Sequence, residues 1–212
     1  MTTPIRQKGY LLVVEDVPDI LVLLVATLKF KGYEVVTATN GVEALEIIHK
    51  KHPALIITDI LMPKMDGFSL VHRLRLDPST RDIPVIFLSA TYVAPEDKEF
   101  ALTIGVTRFI EKPVDMENFF PVIDRLLSEG AHETRPLMNE RQFYEGYKKR
   151  LETKLKHKNT QIARDQHLFE TLDENQKLAF KTSMQNAIRD REEIQKLLDQ
   201  IREKMDHLST EG

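Results

Sequence analysis

Residues 56–67 read I-I-T-D-I-L-M-P-K-M-D-G, and the fold turns on how this stretch is read. An apolar, partly β-branched run (Leu55, Ile56, Ile57) stops at an acid, Asp59. A Met-Pro turn follows, and Asp66-Gly67 opens the next amphipathic segment. An aspartate at the carboxyl end of a buried strand stands where open α/β sheets bind ligands. Taken alone, Asp59 reads more readily as a loop acid capping the following helix. Its neighbours along the chain separate the two readings.

Upstream, residues 10–16 (Y-L-L-V-V-E-D) form an apolar run that ends in two acids, the pattern of a buried strand. Residues 18–31 carry Pro at their start and Leu, Val and Ile at helical spacing, and Gly32 ends them. Glu34–Ala38 reads as a strand, Val42–Lys51 as a helix after Asn40-Gly41, and Ala54–Asp59 as the third strand. Downstream, Asp66–Leu76 reads as a helix, Ile83–Leu88 as a strand ending in Ser89-Ala90, and Pro95–Ile104 as a helix. Thr107–Ile110 is a short strand ending in Glu111-Lys112-Pro113, and a last helix spans about Asp115 to Ser128. Pro121 lies inside that helix and predicts a late start or a kink. Five strands alternating with five helices mean parallel βαβ units and a sheet covered on both faces.

Four strand ends facing one way now carry polar groups: Glu15-Asp16, Asp59, Ser89 and Lys112. Three carboxylates crowded on one rim repel unless a cation sits among them. Oxygen-only ligands without Cys or His point to a hard ion, Mg²⁺ or Mn²⁺. A lysine and a hydroxyl are the partners a phosphoryl group needs for its remaining oxygens, and an aspartate beside such an ion is a competent nucleophile toward phosphorus.

The order E-D, then D-x-x-M-P-x-M-D-G, then S-A, then K-P resembles the receiver domain of bacterial two-component response regulators, over residues 9 to about 128. The resemblance implies a flavodoxin-like, doubly wound five-stranded parallel sheet in the order 2-1-3-4-5. It makes Asp59 the phospho-acceptor, Asp16 the direct Mg²⁺ ligand with Glu15 beside it, and the backbone carbonyl of Leu61 a further ligand. Ser89 falls on the switch hydroxyl, Lys112 on the lysine that contacts the phosphoryl group, and Phe109 on the switch aromatic. The Lys112–Pro113 bond is expected to be cis. A sensor histidine kinase or phosphotransfer protein is the implied donor. Leu61 and Thr91 occupy positions that tune dephosphorylation, and an apolar Leu61 offers nothing to position water, so a long-lived phosphoryl state is expected.

The chain has 212 residues, room for one large domain or one domain with an appendage. It has no cysteine, hence no disulfide, thiolate metal site or cysteine nucleophile. No stretch reaches the roughly 18 apolar residues of a membrane span, and the N-terminus lacks a signal-like apolar core. A cytoplasmic location is expected. A net charge of −3 names no partner, but its distribution is uneven. Residues 141–164 carry eight basic and two acidic side chains; residues 165–212 carry seven and eleven.

The domains expected are a receiver over 1–129, a linker over 130–138 and a helical region over 139–210. Tyr147 to Glu211 contains neither Gly nor Pro, so helix is the expectation there, and Asn139 with Gln142 can start it. Phe180, Met184, Ala187, Ile194, Leu198, Ile201, Met205 and Leu208 form a coiled-coil-like seam that only Arg191 interrupts. A weaker stripe, Tyr147, Leu151, Leu155, Ile162, Phe169 and Leu172, is out of register with it, and Thr171–Glu174 fits a capping box for a helix restart. An antiparallel hairpin that pairs with a second copy into a four-helix bundle fits these features; one continuous helix in a parallel dimer is the alternative. DNA-binding outputs need strands or Gly-containing turns that are missing from the tail, so nucleic acid is not the expected partner. The basic run Lys148–Lys158 reads as a solvated face or as the complement of the acidic second helix. His157 and His167 lack the surroundings of a phosphotransfer histidine. The whole reads as a signalling switch with a homodimerising or partner-docking tail, not a metabolic enzyme. A DNA-binding transcriptional regulator and a stand-alone relay receiver are the rival readings.

Overall fold

The computed structural model describes residues 9–89, 95–129, 138–172 and 174–210. They fall into two compact units, 1–138 and 139–212. In the first, β1 (Leu11–Val14), α1 (Pro18–Phe30), β2 (Val35–Ala38), α2 (Gly41–Lys50) and β3 (Leu55–Asp59) are followed by α3 (Gly67–Leu76), β4 (Val85–Ser89), α4 (Pro95–Thr103), β5 (Arg108–Glu111) and α5 (Met116–Glu129). All strand pairs are parallel and the order is β2-β1-β3-β4-β5, as the resemblance implied.

The period-2 alternation of the strands divides the core. Leu11, Val13, Leu55, Ile57, Ile86 and Leu88 pack with Leu24 and Leu28 of α1 and Phe119, Ile123 and Leu126 of α5. The intervening residues Leu12, Ile56, Val85 and Phe87 are equally buried. Three strand boundaries differ from those the sequence predicts. β1 stops at Val14, so Glu15 and Asp16 lie just beyond it; β4 starts after Pro84; and β5 reaches Glu111. Of the late start or kink expected at Pro121, the late start does not occur, because α5 begins at Met116, capped by Asp115, and continues through Pro121. Proline there removes one N–H, whose carbonyl partner would be that of the exposed Glu117, so water can replace the lost bond.

The second unit is an antiparallel helix pair, α6 (Glu140–Thr171) and α7 (Glu174–Thr210). The Asn139–Gln142 capping box forms reciprocally, with Gln142 N–H donating to Asn139 Oδ1 at 2.9 Å. Contacts march in opposite directions along the two helices. Lys204 lies 5.6 Å over the Tyr144 ring, Arg202 pairs with Glu152, Lys158 with Asp190 at 3.2 Å, and Phe169 stacks on Phe180. The hairpin, not the continuous helix, is therefore the arrangement of this chain. Ala187, Ile194, Leu198 and Ile201 of the seam are buried, as are Tyr147, Leu151 and Ile162 opposite. The restart box at Thr171–Glu174 includes Asp173, which lies outside the described residues.

Candidate functional site

Each site residue owes its place to the end of a strand. Glu15 and Asp16 follow β1, Asp59 ends β3, Ser89 ends β4 and Lys112 follows β5. Parallel pairing sets all these ends on the carboxyl edge of the sheet, and Asp59 sits opposite Leu88, one residue short of Ser89. Glu15, Asp16 and Asp59 each present a carboxylate oxygen within 4.8 Å of the others. Lys112 Nζ donates to Glu15 Oε2 at 2.7 Å and to Asp59 Oδ2 at 3.1 Å. The other Asp59 oxygen accepts the Ile60 N–H at 2.7 Å. Glu15 is only 1% exposed, and its Oε1 accepts the Val17 N–H.

The electrostatics show what this rim lacks. Burial pushes the Glu15 carboxyl above its usual range, and the Asp59 charge adds to that against the pull of Lys112. Burial likewise raises Asp16. Burial by itself would lower the Lys112 ammonium, but the charges of Asp59 and Glu15 outweigh it and the net shift is upward. Three carboxylates share one cation, and the set is oxygen only. Both features fit a hard divalent ion held by Glu15, Asp16 and Asp59.

The loop after Asp59 is held by close backbone contacts. Asp66 caps α3 by accepting from the Ser69 N–H at 3.0 Å. A Cβ on Gly67 would stand 2.5 Å from the Asp59 carbonyl oxygen, so only glycine lets α3 start this close to the acid. Gly41 N–H donates to the Met65 carbonyl at 2.9 Å, and a Cβ on Gly41 would meet the Met65 side chain at 2.7 Å. The Lys112–Pro113 bond is cis, as expected.

A family model for the response regulator receiver domain matches residues 11–124. The chain belongs to that family. Among curated relatives, the receiver is 41% identical over 105 residues to an uncharacterised 14.6 kDa protein of Leptolyngbya boryana, covering 50% of this chain and 79% of that one. It is 37% identical over 130 residues to the transcriptional regulatory protein GlrR of Escherichia coli K12, covering 61% of this chain but 28% of GlrR. Several further relatives are covered over less than half of their length. The chemotaxis response regulator CheY4 of Vibrio cholerae superposes with a TM-score of 0.52 at 33% identity, over 56% of this chain and 98% of that one.

The receiver structure thus brings Glu15, Asp16, Asp59 and Lys112 into one cluster. Ser89 stands buried at the adjoining strand end, and its carbonyl accepts the Lys112 N–H. Phe109 lies apart on β5, half-buried and edge-on to Phe87 at 6.4 Å. The Leu61 side chain is 40% exposed. Thr91 lies outside the described residues. Sequence reading missed two features. One is the direct Glu15–Lys112 pair, since residues 97 apart carry no local signal of contact. The other is the Met65–Gly41 contact, whose only sequence trace is the second Met of M-P-K-M-D-G.

Proposed function

We propose that this receiver accepts a phosphoryl group on Asp59 from the phosphohistidine of a sensor histidine kinase or phosphotransfer protein. The convergence of Glu15, Asp16 and Lys112 on Asp59 carries this reading. An Asp59 carboxylate oxygen attacks phosphorus, a P–O bond forms, and the P–N bond breaks as the donor imidazole leaves with the bonding pair. Glu15, Asp16, Asp59 and the Leu61 carbonyl would hold Mg²⁺ (or Mn²⁺), which when bound would neutralise charge on the transferring group. Lys112 supplies the second positive charge, already hydrogen-bonded to Asp59. Ser89 and Phe109 act as the switch pair, drawn inward by the acyl phosphate. Leu61, exposed and apolar, leaves water unpositioned, and the phosphoryl state is long-lived.

The outer face of α1 supports docking of a donor protein. Val17, Ile20, Val22, Leu23 and Phe30 are exposed, Leu23 at 66% and Phe30 at 91%, and this apolar strip begins directly after Asp16. Contiguous exposed apolar surface of this kind marks a protein contact. The hairpin passes the signal on as a homodimer and by contact with a downstream protein, without catalysis of its own and without binding DNA. The protein acts in the cytoplasm; no described helix is long and apolar enough to cross a membrane. GlrR, a transcriptional regulatory protein, keeps a DNA-binding tail as the alternative. Salt-sensitive binding of a specific duplex by the full chain would establish that alternative. Labelling by a small phosphodonor with Mg²⁺ tests the main reading: Asp59→Asn is expected to lose it, and retained labelling would overturn the site.

A further inference from the structure

β3 is aliphatic until its last two residues: Leu55, Ile56 and Ile57 are followed by Thr58, which is wholly buried. Strand alternation puts Ile57 in the core shared with α1 and α5. Thr58 therefore faces the other side of the sheet, with its register partner Phe87 and the Phe68 ring set edge-on to it. A hydroxyl buried among such groups costs free energy unless it is bonded, and valine would fill the same space without that cost. Here the hydroxyl is bonded. Thr58 Oγ1 donates to the Asp59 carbonyl at 2.8 Å, with Met62 Sδ a more distant neighbour at 3.9 Å.

That carbonyl belongs to the same peptide unit as the Ile60 N–H. Among the described residues only the Lys112–Pro113 bond is cis, so this unit is trans and its C=O and N–H point opposite ways. Thr58 holds one end of the unit and the Asp59 carboxylate holds the other, where Oδ1 accepts the Ile60 N–H at 2.7 Å. With the peptide plane fixed, the carboxylate cannot turn without losing that bond. Oδ1 is tied down, and Oδ2 lies 3.1 Å from Lys112 Nζ. Gly67 contributes from the Thr58 side, because its missing Cβ lets α3 close over the Asp59 carbonyl. We propose that Thr58 is a positioning residue for phosphoryl acceptance. Its hydroxyl sets the plane of the peptide between Asp59 and Ile60, and that plane fixes the Asp59 carboxylate with Oδ1 occupied and Oδ2 presented beside Lys112 for attack on phosphorus. The assignment deepens the reading of Asp59 as phospho-acceptor and rests on it. Thr58 acts through the backbone, from the face of the sheet opposite the carboxylate.

Two variants of the full chain separate the hydroxyl from the shape. Thr58→Val keeps the volume and loses the donor; Thr58→Ser keeps the donor and loses a methyl. With acetyl phosphate and saturating Mg²⁺, the maximal labelling rate of Thr58→Val is expected to fall about tenfold at an unchanged half-saturating donor concentration, and that of Thr58→Ser to stay within about twofold of the unaltered chain. A packing role predicts the reverse order, because valine preserves contacts that serine gives up. A second readout needs neither phosphodonor nor metal. In the metal-free, isotope-labelled chain, the Ile60 amide proton should resonate at the low field of a charge-assisted hydrogen bond, keep that position in Thr58→Ser and move to higher field in Thr58→Val. Thr58→Val labelling as fast as the unaltered chain, or an Ile60 resonance unmoved by loss of the hydroxyl, would overturn the assignment. So would a Thr58→Ser chain that is folded by circular dichroism yet has lost its labelling, and this arm decides the matter even if Thr58→Val does not fold. Absence of label on the unaltered chain would overturn the acceptor reading beneath it, while the Ile60 resonance would still report the Thr58 contact.

Discussion

The receiver and the hairpin are built from opposite kinds of constraint. In the receiver, residues far apart in sequence meet at one point, and Gly67, Asp59, Glu15 and Lys112 each have little room to be anything else. In the hairpin, one long seam repeats a single kind of contact, and exposed ion pairs such as Arg202–Glu152 decorate it. A substitution in the first should be felt sharply, and one in the second should be diluted along about 50 Å of helix.

That contrast can be broken or sharpened by experiment. Gly67→Ala should have the largest effect, about 2 kcal/mol or more of lost stability by urea unfolding, because its Cβ meets backbone at 2.5 Å, which cannot swing away. An unchanged midpoint would mean that the β3–α3 loop is softer than its packing indicates. Leu23→Asp should slow transfer from a cognate kinase by about tenfold while leaving labelling by a small phosphodonor intact, since Leu23 is exposed and is not one of the residues gathered around Asp59. Equal loss with both donors would remove the docking role of α1. Tyr33→Phe should cost about 1 kcal/mol at neutral pH, because the Tyr33 hydroxyl donates to Asp124 Oδ1 at 2.6 Å.

Tyr33 also has a pH signature. Burial, then the Asp124 hydrogen bond and charge, raise its pKa above the usual value of 10.0. The folded state therefore holds the proton more tightly than the unfolded chain does. That contribution is fully present below about pH 10 and is lost as the pH climbs toward the raised folded value. Urea midpoints between neutral pH and pH 10.5 should fall less steeply at the alkaline end in Tyr33→Phe than in the unaltered protein. The smallest effect belongs to the hairpin. Lys158→Ala removes a partly exposed pair with Asp190 and should cost no more than about 0.5 kcal/mol. A loss rivalling that of Gly67→Ala would erase the distinction between the two regions.

The same contrast governs how much could be read in advance. The alternation of apolar runs and amphipathic segments, with an acid, a hydroxyl or a lysine at strand ends, carried the βαβ order and all four residues of the cluster, while the strand order came from the resemblance to receiver domains. The Asn139–Gln142 box was equally legible, because a cap is a three-residue event. Pro121 did not delay the helix start, since its local penalty is small where the freed carbonyl faces water. The exposed apolar face of α1 was hidden, because its Leu, Val and Ile fit a core-facing helix on every side of the wheel. Only burial shows that Leu24 and Leu28 face inward while Leu23 and Phe30 do not.

Sequence alone determined that Asp59 ends a buried strand and that acids, a hydroxyl and a lysine end its neighbours, because strand periodicity and turn chemistry are local. It also set the opposite charges of the two tail segments. Tertiary structure decided that Lys112 is bonded to Glu15 as well as Asp59, that Gly67 admits α3 against the Asp59 carbonyl, and that the tail folds back on itself. Those outcomes depend on distances between residues tens of positions apart, which chain packing fixes and no local pattern encodes.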